Sequence, residues 1–208
     1  MTLLAAVLGY TIGSIPTAGL LSHLWGIDIR KEGSGNPGTK NALSVGGPFL
    51  AAAVLVVEAA KGYLAVRVGF EIAADTGALF AGLGAVTGNV FNVWYRFEGG
   101  KGLGISLGIL AAAWPTVLPV IIVVIVLAVL ITRSAGLAAL AAMAGLIVCS
   151  FVWPEQNWST FGNVETALQI LALSIGMTLV MMWKHIRDSP LNSEWRSERR
   201  TPASPARR

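Results

Sequence analysis

The chain has 208 residues, 54% of them hydrophobic and 12% charged, with a mean hydropathy of +0.67. A soluble domain carries about 25% charged residues, so a water-soluble globular fold is excluded and a membrane protein is expected. The formal net charge of +4 lies in short loops and the tail. No basic folded surface is left for nucleic acid.

Residues 1–27, 102–132, 134–154 and 166–183 carry no charged side chain. A bilayer-spanning helix needs about 20 predominantly apolar residues. The opening MTLLAAVLGY has neither a basic n-region nor a small-residue cleavage site, so it reads as a retained first span. Helices are expected near 3–25, 47–66, 76–94, 103–113, 116–132, 135–152 and 165–184. Glu58 and Lys61 fall inside the second of these; charges there are expensive in lipid and should pair at i, i+3 or face protein or water. Trp114-Pro115 divides the interval 102–132, and the positive-inside rule favours that division. With two helices there, Arg30, Lys31, Lys40, Arg96, Lys101, Arg133 and the basic tail share one face. With one helix, Arg133 changes sides and the arginine-rich tail ends outside. The expected fold is all-α, a polytopic membrane helix bundle of about seven transmembrane helices, with the N-terminus outside and the C-terminus cytoplasmic. The helix at 103–113 is too short to cross unaided and should be covered by its neighbours. Cys149 is the single cysteine, which excludes an internal disulfide and fits a packing role. Residues 1–188 are expected to form the membrane domain, and 189–208 a disordered basic cytoplasmic tail near anionic headgroups.

Three polar segments interrupt the apolar chain, and the expected topology puts them all on the cytoplasmic face. The first is GSGNPGTKN, Gly33–Asn41, directly after DIRKE, Asp28–Glu32. Its glycines weaken any helix interior but let backbone N–H groups approach a ligand. Arg30, Lys31 and Lys40 make the stretch cationic, which points to phosphate. The second, RFEGGKGLG (Arg96–Gly104), repeats this chemistry with Lys101 set among glycines. A helix starting near Gly102 would turn its N-terminal N–H groups toward the same anion. Neither loop is a Walker A sequence, because Gly102 follows Lys101 where Ser or Thr is needed. The third, WKHIRD (Trp183–Asp188), ends the last helix. Converging at one membrane face, the three would form an anion site with an apolar wall, suited to a phosphate head with a long acyl chain. A transporter would line a path across the bilayer with its charges, whereas here the polar chemistry gathers at one face.

DIRKEGSGNPGTKN resembles the first cytoplasmic motif of the PlsY family, usually D-I-R-x-x-G-S-G-N-x-G-A-T-N. GNVFNVWYRFEGGKGLGISLG (Gly88–Gly108) is similar to the second, usually G-H-x-F-P followed by F-x-G-G-K-G, and KHIRD to the third, usually K/R-H-R-x-N-I. The family consists of bacterial inner-membrane acylphosphate:glycerol-3-phosphate acyltransferases, and the resemblance runs from Gly13-Ser14-Ile15-Pro16 to about Asp188. The chain departs from the pattern at several places. The family's histidine and proline in the second motif are Asn89 and Asn92, its Ala-Thr is Thr39-Lys40, and an arginine expected three residues after Asn41 is Ser44. In the third motif Ile186 and Asp188 replace arginine and asparagine.

The resemblance implies Ser34, Lys101 and His185 as catalytic residues. It implies Arg30, Gly33, Gly35, Asn36, Gly38, Asn41, Gly99, Gly100 and Gly102 as substrate-binding. It implies no metal and no cofactor, acyl phosphate and glycerol 3-phosphate as substrates, membrane lipids as surroundings, and an active face on the cytoplasmic side of the bacterial inner membrane. Such a reaction suits the residues, because an acyl phosphate carries its own leaving group and asks mainly for orientation and oxyanion stabilisation. His185 positions a phosphate or relays the hydroxyl proton, or the bound phosphate is itself the base. The departures leave a second reading, a family homologue with altered or lost activity that serves as a regulatory or scaffold partner or uses a different acceptor. His23-x4-Asp28 spells the signature of acyl-CoA-using glycerolipid acyltransferases, but that motif belongs to an α/β domain for which this chain has no room.

Overall fold

The computed structural model describes residues 1–156, 158–160 and 162–187. Asp188 and the expected tail 189–208 lie outside the described residues. Every regular element among those described is helical: α1 (Thr2–Ser14), α2 (Thr17–Leu24), α3 (Thr39–Val90), α4 (Leu103–Ala113), α5 (Leu118–Thr132), α6 (Ala135–Glu155) and α7 (Ala167–Arg187). Short 3-10 turns at Val93–Tyr95 and Pro115–Val117 precede the loop before α4 and the start of α5. Five helical stretches are long and apolar enough to cross a membrane, and Leu103–Ala113 is a shorter apolar helix. The protein is an all-helical membrane bundle.

The single helix expected at 3–25 is two helices. Pro16 has no N–H to continue the ladder, and the chain leaves helical geometry at Ile15 (φ −55°, ψ 122°) before α2 begins at Thr17. α3 is two arms. Ala73 (φ −152°) and Ala74 (φ 48°, ψ −142°) are non-helical, and the chain folds back on itself there. Glycine allows the tight return: a Cβ on Gly69 would fall on the Gly77 carbonyl, and one on Gly77 on the Gly69 carbonyl. A further break at Gly47 (φ 78°) separates the first two turns of α3 from the arm that follows Pro48.

Small residues bring the helices together where the hydrophobic effect cannot, since lipid is as apolar as leucine. Gly9 and Gly13 of α1 sit on the backbone of Ala81 and Ala85, while Gly84 and Gly88 sit on Ala6 and Tyr10. Gly108 of α4 packs against the Ala59 carbonyl in the first arm of α3. This encloses α4: Ile105, Ile109 and Ala113 are fully buried, with Trp114 behind them. The short helix is thus covered by neighbours, as its length requires. α5 is the opposite case. Only Ile121 of that helix is buried, and Ile122, Val123, Leu130 and Ile131 face outward, as a lipid-facing helix should.

Candidate functional site

At the end of the bundle where α2 leads into α3, the glycine-rich loops, the start of α4 and the end of α7 enclose a cavity of about 850 Å³. The first loop is shaped by its own side chains. The Asp28 carboxylate accepts from the Arg30 N–H at 3.2 Å and pairs with Lys31 at 2.8 Å. That hydrogen bond with Lys31 holds the Asp28 carboxyl below, and the Lys31 ammonium above, their ordinary values. Gly33 and Gly35 adopt left-handed φ of 60° and 69°, open to glycine at little cost. Asn41 then locks the turn. Its Oδ1 accepts from the Ser34 N–H at 2.8 Å, and its Nδ2 donates to the carbonyls of Ile29 at 2.9 Å and Glu32 at 3.0 Å. Asn41, expected as a substrate ligand, is buried as the brace of the loop and also lines the cavity.

The second loop is closed by backbone contacts. Gly99 N–H donates to the Val90 carbonyl at 2.9 Å and Gly100 N–H to the Asn89 carbonyl at 3.0 Å. A Cβ on Gly99 would collide with the Asn89 carbonyl, so only glycine allows this closure. Asn92 occupies the family's proline position and caps the turn that follows, accepting from the Trp94 N–H at 3.0 Å while donating to the Ser14 carbonyl at 2.8 Å. Asn89, at the family's histidine position, donates to Glu58 Oε2 at 2.6 Å. Glu58 in turn accepts from Lys61 at 2.9 Å, and Lys61 also donates to the Ile15 carbonyl at 2.7 Å and to Thr17 Oγ1 at 3.1 Å. The intramembrane pair thus faces protein, as expected. It ties the break between α1 and α2 to the wall of the cavity.

Ser34, Asn36, Gly38, Lys101, Gly102 and His185 all line the cavity, together with Gly33, Gly35, Gly99, Gly100 and Arg30. Two helices open on it. α3 is preceded by Gly38 and α4 by Gly102, and neither glycine can supply a side-chain cap. Their first-turn N–H groups, with the positive end of each helix dipole, are left for an anion. His185 Nδ1 lies 2.9 Å from the Met181 carbonyl; a carbonyl only accepts, so this nitrogen carries a proton. Arg30 is more engaged than expected. Its Nη1 donates to the Glu98 carbonyl at 2.7 Å, and the guanidinium lies 4.7 Å from the centre of the Tyr95 ring.

Sequence reasoning left several lining residues without a role: Lys184 (4% exposed), Glu98 and Arg187; it expected Glu58 to pair with Lys61 but not to lie beneath Asn89 at the cavity wall. The adjacent Lys184-His185 pair was a usable signal, since one turn presents both to the same end of the bundle. Ser44, at the missing arginine, lines the cavity, and its hydroxyl donates to the Lys40 carbonyl. His23 is exposed and does not line the cavity, so the His-x4-Asp spelling carries no chemistry here.

A family model described as glycerol-3-phosphate acyltransferase matches residues 3–190. A glycerol-3-phosphate acyltransferase of Agrobacterium fabrum is 38% identical over 183 residues, covering 88% of this chain and 83% of the relative. One of Brucella anthropi is 45% identical over 188 residues, covering 89% and 87%. Among solved structures, PlsY (YgiH), an integral membrane glycerol 3-phosphate acyltransferase, superposes in its glycerol 3-phosphate form with a TM-score of 0.77 at 24% identity, over 94% of this chain and 92% of that one. Its lysophosphatidic acid form gives a TM-score of 0.73 at 23% identity, over 96% and 93%. Below a quarter identity these two likenesses speak for the fold.

Proposed function

Because the chain belongs to the glycerol-3-phosphate acyltransferase family, we propose that it transfers a fatty acyl group from acyl phosphate to the 1-hydroxyl of sn-glycerol 3-phosphate, giving lysophosphatidic acid and phosphate for phospholipid biosynthesis. The observation that carries this reading is one cavity where two glycine loops, two uncapped helix N-termini, Ser34, Lys101 and His185 face one another. Ser34 and Lys101 hold phosphate oxygens, and the backbones of 33–38 and 99–102 cradle them. These donors are fixed in advance, so they stabilise the carbonyl oxyanion and the departing phosphate without reorganising. The glycerol hydroxyl adds to the acyl carbonyl, the C–O bond to phosphate breaks, and the hydroxyl proton passes to His185 or to a phosphate oxygen. No covalent enzyme intermediate is needed, because the donor is already a mixed anhydride. Holding both substrates in line is worth several kcal/mol, up to about 7–11 in favourable intramolecular systems.

Seven crossing segments accompany this reading: α1 with α2, the two arms of α3, and α4 to α7, with α4 crossing inside its neighbours. The N-terminus is outside and the cavity opens to the cytoplasm at the bacterial inner membrane, the arrangement that keeps the basic loops on one side. The acyl chain then lies between helices while the polar acceptor arrives from water.

The test is turnover by the purified protein in detergent or lipid, following lysophosphatidic acid and released phosphate from acyl phosphate and glycerol 3-phosphate. Acyl-CoA as donor and Lys101→Ala protein run in parallel. Product from acyl phosphate alone, formed about 10²–10³-fold more slowly by Lys101→Ala, is expected. Absence of product from a folded preparation overturns the assignment of donor and acceptor.

A further inference from the structure

One carboxylate stands between two guanidinium groups at the rim of the cavity. Glu98 Oε2 is 3.8 Å from Arg30 Nη2, and Glu98 Oε1 is 4.0 Å from Arg187 Nη1. All three side chains line the cavity, and they are 36%, 32% and 22% exposed respectively. Both separations exceed the roughly 2.7–2.9 Å of a closed charge-assisted hydrogen bond. The carboxylate meets both guanidinium groups at ion-pair range on a half-wet rim, where such pairs are weak.

The two arginines reach Glu98 from different elements. Arg30 also donates to the Glu98 carbonyl and lies over Tyr95, which fixes it whatever the carboxylate does. Arg187 comes from the last turn of α7 and pairs with the carboxylate of Glu98 from there. A phosphate offers more negative charge than a carboxylate and a third oxygen, and a guanidinium grips such a group by two parallel bonds. Ser44 leaves the cavity without the arginine that the first motif's pattern calls for. Arg187 supplies a guanidinium to the same cavity from another element, at a position that the third motif leaves open.

We propose that Arg187 binds a substrate phosphate in this cavity, and that Glu98 competes with that phosphate for it. This rests on the reading that the cavity holds the phosphates of donor and acceptor. Both substrates present the same chemistry, and separate titrations tell them apart. The bland alternative is that Glu98 merely ties the second loop to α7 and that Arg187 is its structural partner. The two readings give opposite signs for loss of the Glu98 charge.

The experiment is steady-state kinetics of the full chain in detergent, with each substrate varied at saturation of the other, for wild type, Arg187→Ala, Arg187→Lys and Glu98→Gln. Arg187→Ala is expected to raise the KM of one substrate roughly ten-fold with a smaller change in kcat, as loss of one charge-assisted hydrogen bond implies. Arg187→Lys falls between, since an ammonium keeps the charge without the fork. Glu98→Gln is expected to lower the same KM by about two- to five-fold, the scale of an exposed ion pair. Should Arg187→Ala leave both KM values within about two-fold of wild type, the arginine does not bind phosphate. A raised KM in Glu98→Gln makes Glu98 a tie and overturns the competition. If Arg187→Ala melts too low to assay, Arg187→Lys and Glu98→Gln decide by the same signs. Wild-type protein without turnover overturns the proposed reaction and this inference together, whereas an active wild type with unmoved variants overturns the inference alone.

Discussion

The Asn89 amide donates to Glu58 across 2.6 Å and joins the two arms of α3 through side chains 31 positions apart. The family's second motif has histidine at position 89, so the substitution reads as a loss when only the sequence is compared. In the fold it retains a donor to a buried carboxylate. Lys61 satisfies the other oxygen of that carboxylate and carries the network on to Thr17 and the Ile15 carbonyl, away from the cavity wall where Glu58 and Asn89 lie.

Removing one charge from that network leaves the other stranded. Glu58 and Lys61 are 7% and 6% exposed, and breaking such a buried pair costs about 3–5 kcal/mol. Lys61→Met is expected to lower the unfolding midpoint in detergent strongly, while Lys61→Met with Glu58→Gln recovers most of the loss. A double variant no better than Lys61→Met would mean that charge pairing is not what holds the site.

Asn89 carries its own expectation. Asn89→Ala removes the donor to Glu58 Oε2 and should destabilise by about 1–3 kcal/mol, the desolvation penalty of an unsatisfied buried acceptor. Asn89→His restores a ring N–H at the family position and is expected to keep both stability and turnover. Thermal unfolding beside the lysophosphatidic acid assay separates the two effects.

Lys101 and Ser34 should act on chemistry and not on folding. Loss of one preorganised donor to a developing oxyanion lowers kcat by about 10²–10³-fold. Lys101→Ala is expected in that range. Ser34→Ala, whose hydroxyl accepts from the Asn36 N–H at 3.4 Å in a loop braced by Asn41, should lose less because the loop's backbone donors stay in place. Both variants should melt as wild type does. A large fall in melting temperature would reassign either residue to structure.

Gly108 tests the packing of α4. A Cβ there would fall on the Ala59 carbonyl, and backbone cannot yield as the end of a side chain does. Gly108→Ala is expected to destabilise by about 1–3 kcal/mol or more. Gly145 of α6 meets nothing closer than 3.7 Å. There the better helix propensity of alanine makes Gly145→Ala neutral or stabilising by up to about 1 kcal/mol. Equal effects at the two sites would refute the close approach.

The chemistry of the site was legible before the fold because it depends on local composition. Glycines next to Lys40 and Lys101, and a histidine at a helix end, are visible in the sequence as cationic, donor-rich segments before any fold is known. The helix at 103–113 was legible for a similar reason, since Trp114-Pro115 ends it locally. The break at Ile15–Pro16 was equally local, yet the apolar run around Pro16 hid it. It matters because the freed Ile15 carbonyl becomes a partner of Lys61.

By itself, the sequence determined that this chain lives in a membrane, that its helices are separated by basic loops, and that two of those loops are glycine-rich and carry lysine. Charge-free length and glycine spacing are properties of neighbouring residues, so no fold is needed to see them. The tertiary structure alone decided which side chains face the cavity and which serve the scaffold. Asn41 turned inward to brace its loop, Asn89 met Glu58, and Glu98 came between Arg30 and Arg187. These pairings join residues far apart in the chain. They exist because close-packed helices bring particular turns to one end of the bundle, and no local pattern encodes that meeting.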